Sequence, residues 1–148
     1  MIERILFVCV GNICRSPMAE ALLKARLANI APDLKISSAG LAALVGKGVP
    51  DSVLLLLKNR HIDLSTHRAR QIDEEMIVAS DLILTMENFH KKEIERRYPF
   101  SHGKVFLLGK WSEFEVPDPY GGSQVFFERT LELIDNGLND WQSRICKK

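Results

Sequence analysis

The chain has 148 residues, 46% of them hydrophobic and 26% charged, with a net charge of +1. A chain of that size folds as one domain, over residues 1–148, burying roughly two-thirds of the surface it would expose unfolded. Its composition excludes disorder, and its charge balance excludes a broad nucleic-acid surface.

Apolar runs such as residues 5–10 and 53–57 fall far short of the roughly 18 residues of a membrane span, so no insertion is expected. The N-terminal run ends at Gly11-Asn12 without a small-residue cleavage pattern, unlike a signal peptide. Three cysteines with no C-x-x-C pair fit a reducing compartment, read as the cytoplasm, better than a disulfide framework or a zinc site.

Residues 5–9 are nearly all apolar, as in a strand covered on both faces. Residues 17–29 place Met18, Ala21, Leu22, Ala25 and Ala28 at helical spacing, with Pro17 as the expected first residue and Pro32 marking the end. Residues 34–38 alternate like a strand, and Ala39-Gly40 is expected to close it as a turn before a loop to residue 50. A helix is expected over 51–60 with Asp51 or Ser52 near its cap, and a short acidic-capped helix from Asp73. Residues 81–86 read as a strand, 87–97 as a helix stopped at Tyr98-Pro99, and 105–108 as a fourth strand. The loop over 109–122 holds Pro117-Asp118-Pro119-Tyr120, and a long amphipathic helix runs from 123 to about 145, with Gly137 against its propensity. Four strands separated by helices predict an α/β fold: a four-stranded parallel sheet with helices on both faces. In such sheets ligands sit at the carboxyl ends of the strands, where Cys9 and the Asp118 loop can meet.

The stretch Cys9-Val10-Gly11-Asn12-Ile13-Cys14-Arg15-Ser16 joins a strand to a helix, so several backbone N–H groups and the positive helix end converge on one concavity. Such a nest binds oxyanions. A cysteine at its first position and an arginine six residues later add a nucleophile and a planar fork for a phosphoryl group, a pattern that points to phosphate-monoester hydrolysis through a phosphocysteine. The helix end, the amides and Arg15 favour the Cys9 thiolate, the reactive form. The plain alternatives are a buried strand cysteine and a solvated helix-start arginine.

Ser16 can donate to the sulfur or cap the helix, and both roles are compatible. Gly11 permits close backbone approach, and Asn12 tolerates the left-handed region, with a purely structural reading of Asn12 equally open. Asp118 is the candidate acid for a departing phenol and base for the incoming water, although a turn aspartate between prolines is ordinarily structural. Tyr120 beside it offers a face for an aromatic ring. His67 has no second histidine or carboxylate at metal spacing and reads as a hydrogen-bonding loop residue. Lys91-Lys92 and Arg96-Arg97, interleaved with Glu93 and Glu95, read as a solvated helix face, and Cys146 near the tail carries no assigned chemistry.

Residues 8–17, Ser37-Ser38-Ala39-Gly40, His67-Arg68-Ala69-Arg70-Gln71, Leu84-Thr85-Met86 and Asp118-Pro119-Tyr120 together resemble the low-molecular-weight protein tyrosine phosphatases. That resemblance implies Cys9 as nucleophile, Arg15 as phosphate clamp and Asp118 as acid then base, with no metal and no cofactor. It assigns Val10, Gly11, Asn12, Ile13, Cys14, Ser16, Ser38 and His67 to the loop and its supporting hydrogen bonds. It further implies that Cys14 can trap an oxidised Cys9 as a reversible disulfide. Residues 41–48 and 115–120 look like the Gram-negative bacterial branch paired with tyrosine autokinases of capsule and exopolysaccharide export. The implied partner is the phosphotyrosine tail of such a kinase, met by a monomer or weak dimer. Gly121 stands where eukaryotic members tend to carry a second aromatic, so the pocket wall is expected from Tyr120 and Leu41. Arsenate reductases share the fold but pass electrons through cysteines absent from residues 85–97. A sugar-transport phosphocarrier has no use for Arg15 or Asp118, and these two together with Cys9 also argue against a non-catalytic phosphotyrosine reader.

Overall fold

Strand β1 (Arg4–Cys9) is buried from Ile5 onward, as an apolar run with no face to offer water must be. In the computed structural model, which describes residues 1–146, β1 lies inside a sheet of order β2-β1-β3-β4. Its neighbours are β2 (Lys35–Gly40), β3 (Leu82–Thr85) and β4 (Val105–Leu107), all paired in parallel.

The two-residue period of β1 divides the core. Ile5, Phe7 and Cys9 face the helices α1 (Arg15–Leu27), α2 (Asp51–Lys58) and α5 (Gln124–Ile145). Leu6 and Val8 point the other way, to Ile77 of α3 (Glu74–Ala79) and Ile94 of α4 (Asn88–Arg97). The result is the expected single α/β domain with helices on both faces of a four-stranded parallel sheet. Strand order reverses between β1 and β3, so their carboxyl ends open a crevice there.

Several boundaries differ from expectation for physical reasons. Helix α1 begins at Arg15, which makes Pro17 its third residue; the missing N–H of proline is still one of the four that a helix start leaves unpaired. Ala39 and Gly40 belong to β2 rather than to a turn, and Gly40 also bridges to Gln71. A side chain at Gly40 would put its Cβ 2.4 Å from the Val10 carbonyl oxygen, so glycine is what lets the loop after β1 lie against β2. Helix α2 is preceded by Pro50 with no side-chain cap, whereas Asp73 accepts from the Met76 amide at the start of α3 as expected. Gly137 sits inside α5 because a Cβ there would lie 2.6 Å from Leu108 Cγ, at the close approach of α5 to the end of β4.

Candidate active site

The loop from Cys9 to Arg15 wraps a crevice of about 250 Å³ at the end of β1, lined by Cys9, Val10, Gly11, Ile13, Cys14 and Arg15, with Asp118 and Tyr120 at its rim. Cys9 and Arg15 are each 3% exposed, at its floor. The Cys9 sulfur lies 2.8 Å from Ser16 Oγ. Ser16 is the second residue of α1 and does not cap it, so of its two expected roles only the contact to sulfur is realised.

Asn12 is the knot of the loop. It takes φ +57°, in the left-handed region that asparagine tolerates better than most residues. Its fully buried amide donates to Ser16 Oγ at 2.8 Å and Ser38 Oγ at 2.9 Å, and its carbonyl accepts from the Arg70 amide at 3.0 Å. Ser38 in turn donates to Glu20 at 2.6 Å, and Arg70 Nε donates to the Ser38 carbonyl at 2.8 Å. His67 Nε2 pairs with the backbone carbonyl oxygen of Asn12 at 2.8 Å. The residues expected to support the loop therefore converge on it, and Glu20 and Arg70 join them.

Arg15 Nη1 donates to Glu87 at 2.6 Å and to the Val116 carbonyl at 2.8 Å. One edge of the guanidinium is thus tied to the protein and orients the fork, while the burial of its charge is compensated by Glu87. Glu87 follows β3 by two residues, at the strand-order reversal. His90, one turn along, accepts from the Glu87 amide through Nδ1 at 3.1 Å. Burial, with the charge of Arg15 adding to it, lowers the His90 pKa to about 3, so the ring is neutral. Burial foremost, then the proximity of Asp118 and Cys9, pushes the Cys14 thiol up to about 12. Cys14 is therefore protonated beside its loop partner.

Asp118 is exposed at the mouth of the crevice, and its Oδ1 accepts from the Tyr120 amide at 3.0 Å in a local turn. Tyr120 is 64% exposed, an aromatic face over the opening. Leu41 does not form a wall. It is 5% exposed and packed with Val8, Ala39, Ile72 and Ile94 under the sheet, its carbonyl held by Gln71 and Arg97. It follows β2 at a position that faces the core, and Ala42 and Leu44 line the crevice in its place. Among the described residues, no group of three or more histidine, cysteine, aspartate or glutamate side chains is placed to hold a metal ion.

Sequence reasoning missed Glu87, Glu20, Arg70 and Leu44. Only Glu87 carried a usable signal: an acidic residue just past a strand end belongs to the rim where ligands bind. The Arg97 side chain, read as solvated, also turns inward to the Leu41 carbonyl.

The fold and this crevice define an α/β protein with a thiol and an arginine fork inside an oxyanion loop. The chain matches the low molecular weight phosphotyrosine protein phosphatase family over residues 4–148. It is 43% identical over 145 residues to the probable low molecular weight protein-tyrosine-phosphatase EpsP of Ralstonia nicotianae, covering 98% of this chain and 97% of that protein. It is 43% identical over 142 residues to the low molecular weight protein-tyrosine-phosphatase Wzb of Escherichia coli, covering 95% and 94%. The crystal structure of the Erwinia amylovora tyrosine phosphatase AmsI superposes with a TM-score of 0.91 at 38% identity, over 100% of this chain and 95% of that one. The protein belongs to the low molecular weight phosphotyrosine protein phosphatase family, and its activity is that of a protein-tyrosine phosphatase.

Proposed function

We propose that the enzyme removes phosphate from phosphotyrosine by two displacements at phosphorus. The Cys9 thiolate attacks, the bond from phosphorus to the tyrosine oxygen breaks, and Asp118 gives its proton to that oxygen, leaving phosphocysteine and free tyrosine. Asp118, now a carboxylate, takes a proton from water as the water attacks phosphorus. The P–S bond breaks, inorganic phosphate departs and the thiolate is restored. Arg15 and the loop amides stabilise the charge spreading over the phosphoryl oxygens, and the Ser16 hydroxyl stabilises the departing sulfur. Val10, Gly11, Ile13 and Cys14 supply the loop, Asn12, Ser38 and His67 hold its shape, and Tyr120 with Leu44 guides the aromatic ring. The observation that carries this reading is the sharing of one crevice by Cys9, Arg15 and Asp118.

The physiological substrate in this proposal is the phosphotyrosine tail of a bacterial tyrosine autokinase of capsule or exopolysaccharide export, met in the cytoplasm. The likeness to EpsP, Wzb and AmsI supports it, as does a chain whose described cysteines are all free thiols.

Burst kinetics on an aryl phosphate in EDTA test the chemistry. Wild type gives a burst of phenol, Cys9→Ser gives no turnover, and Asp118→Asn slows turnover most for leaving groups of high pKa. Unchanged turnover in Cys9→Ser defeats the covalent route. Full activity in Asp118→Asn removes its acid role. Capture of a phosphorylated kinase by the Cys9→Ser protein tests the substrate.

A further inference from the structure

His90 is a buried titratable group that the two displacements do not use. Its side chain is fully buried, and its Nε2 is one of two buried side-chain polar atoms without a hydrogen-bond partner among the described residues, the other being Ser101 Oγ. Because Nδ1 accepts from the Glu87 amide, the neutral ring carries its proton on Nε2. That N–H stands 3.5 Å from Glu87 Oε2, the same oxygen that receives Arg15 Nη1 at 2.6 Å. A buried donor left unpaired is unfavourable, yet this one stands next to the carboxylate that holds the clamp.

We propose that His90 is a positioning residue for phosphoryl transfer: its Nε2–H takes up the Glu87 carboxylate as the Arg15 fork is drawn onto the phosphoryl group. The inference rests on the reading of Arg15 as the phosphate clamp. In the free enzyme Arg15 divides Nη1 between Glu87 and Val116. A phosphoryl dianion competes for the guanidinium, and the charge spread over its oxygens in the transition state draws the fork further onto it. Glu87, its side chain 24% exposed, then loses part of its compensation, and a largely buried carboxylate gains from another donor. A movement of about 0.5 Å brings His90 Nε2–H to bonding distance. The bond from the Glu87 amide to Nδ1 fixes the tautomer and the ring plane. A neutral donor also adds no second positive charge beside Arg15, and burial together with Arg15 keeps the ring neutral.

Two variants separate this role from simple helix capping. His90→Asn keeps an acceptor near the Nδ1 position and deletes the distal donor, whereas His90→Gln can place an amide N–H where Nε2–H stands and loses the proximal acceptor. Positioning predicts that kcat on an aryl phosphate falls about tenfold in His90→Asn with KM changed less than about threefold, and that His90→Gln restores most of it. Capping predicts the reverse order. Wild-type kcat in His90→Asn, or equal losses in the two variants, overturns the proposal. Should either variant fold poorly, the wild-type protein still decides. On titration with inorganic phosphate the His90 Nε2 proton resonance moves downfield as its hydrogen bond forms, and an unmoved resonance at saturation refutes the role. Wild type that binds phosphate but does not hydrolyse aryl phosphates sinks the proposed reaction and leaves this phosphate-linked test standing.

Discussion

Replacing Asn12 by alanine removes three buried or half-buried hydrogen bonds at once, to Ser16, Ser38 and the Arg70 amide. At about 1 kcal/mol net for each, the direct loss is about 3 kcal/mol. Alanine also tolerates φ +57° less well than asparagine, which adds about 1 kcal/mol. The sum, about 4 kcal/mol, is a large part of the stability of an ordinary domain. Ser16 and Ser38 keep contacts to Cys9 and Glu20, so the damage is concentrated in the loop rather than spread along the network. Urea unfolding followed by circular dichroism reads the stability. Activity on an aryl phosphate, measured well below the unfolding midpoint, reads the loop, with kcat/KM falling about a hundredfold as the amides lose their common focus. Asn12→Gly, which accepts the positive φ without strain, serves as the control and is less destabilised than Asn12→Ala. A cost below about 1 kcal/mol in Asn12→Ala, or unchanged activity, refutes the view that this side chain holds the loop.

The depressed pKa of His90, about 3 against 6.5 for the free side chain, makes the unfolded chain the better proton binder between those values. Stability therefore declines as pH falls below about 6.5, by up to about 1.4 kcal/mol per unit from this group, and the decline from this source ends near pH 3. Urea midpoints at pH 7 and 5 show it as a steeper slope in wild type than in His90→Asn, and equal slopes contradict it. Cys14, its thiol pushed up to about 12, resists iodoacetamide at neutral pH while Cys9 is alkylated and phosphate protects it. Peptide mass spectrometry checks this, and after peroxide treatment the same method is expected to find a Cys9–Cys14 disulfide. Gly137→Ala gains about 1 kcal/mol of helix propensity but forces a Cβ to 2.6 Å from Leu108 Cγ and 3.0 Å from its carbonyl oxygen. The expected net effect is a loss of about 1–2 kcal/mol, a Tm lower by about 2–6 °C in calorimetry, and a rise in Tm counts against the packing explanation.

Most of the fold was legible because its signals are local. The apolar run before Cys9, the helical spacing after Pro17 and the long stripe ending near Ile145 each state their own period, and alternating strands and helices leave few ways to build a sheet. The loop itself was legible for the same reason: Cys9 and Arg15 are six residues apart between the end of β1 and the start of α1, a local spacing that needs no distant partner. Asp118 was legible as a candidate because strand ends meet at one edge, although its place in the same crevice as Cys9 depended on the sheet being assembled.

What the sequence determined by itself was the set of elements and the loop that carries Cys9 and Arg15, all encoded within runs of a dozen residues. Tertiary structure alone decided which distant groups complete them. Strand order set Glu87 against Arg15, since only the pairing of β1 with β3 puts those two strand ends side by side. The two-residue alternation after β2 sent Leu41 into the core and left Ala42 and Leu44 at the crevice. Gly40 and Gly137, unfavourable or neutral by local propensity, are explained by the Val10 carbonyl and the Leu108 side chain they must clear. Contacts of this kind join residues tens of positions apart, and no local period or spacing records them.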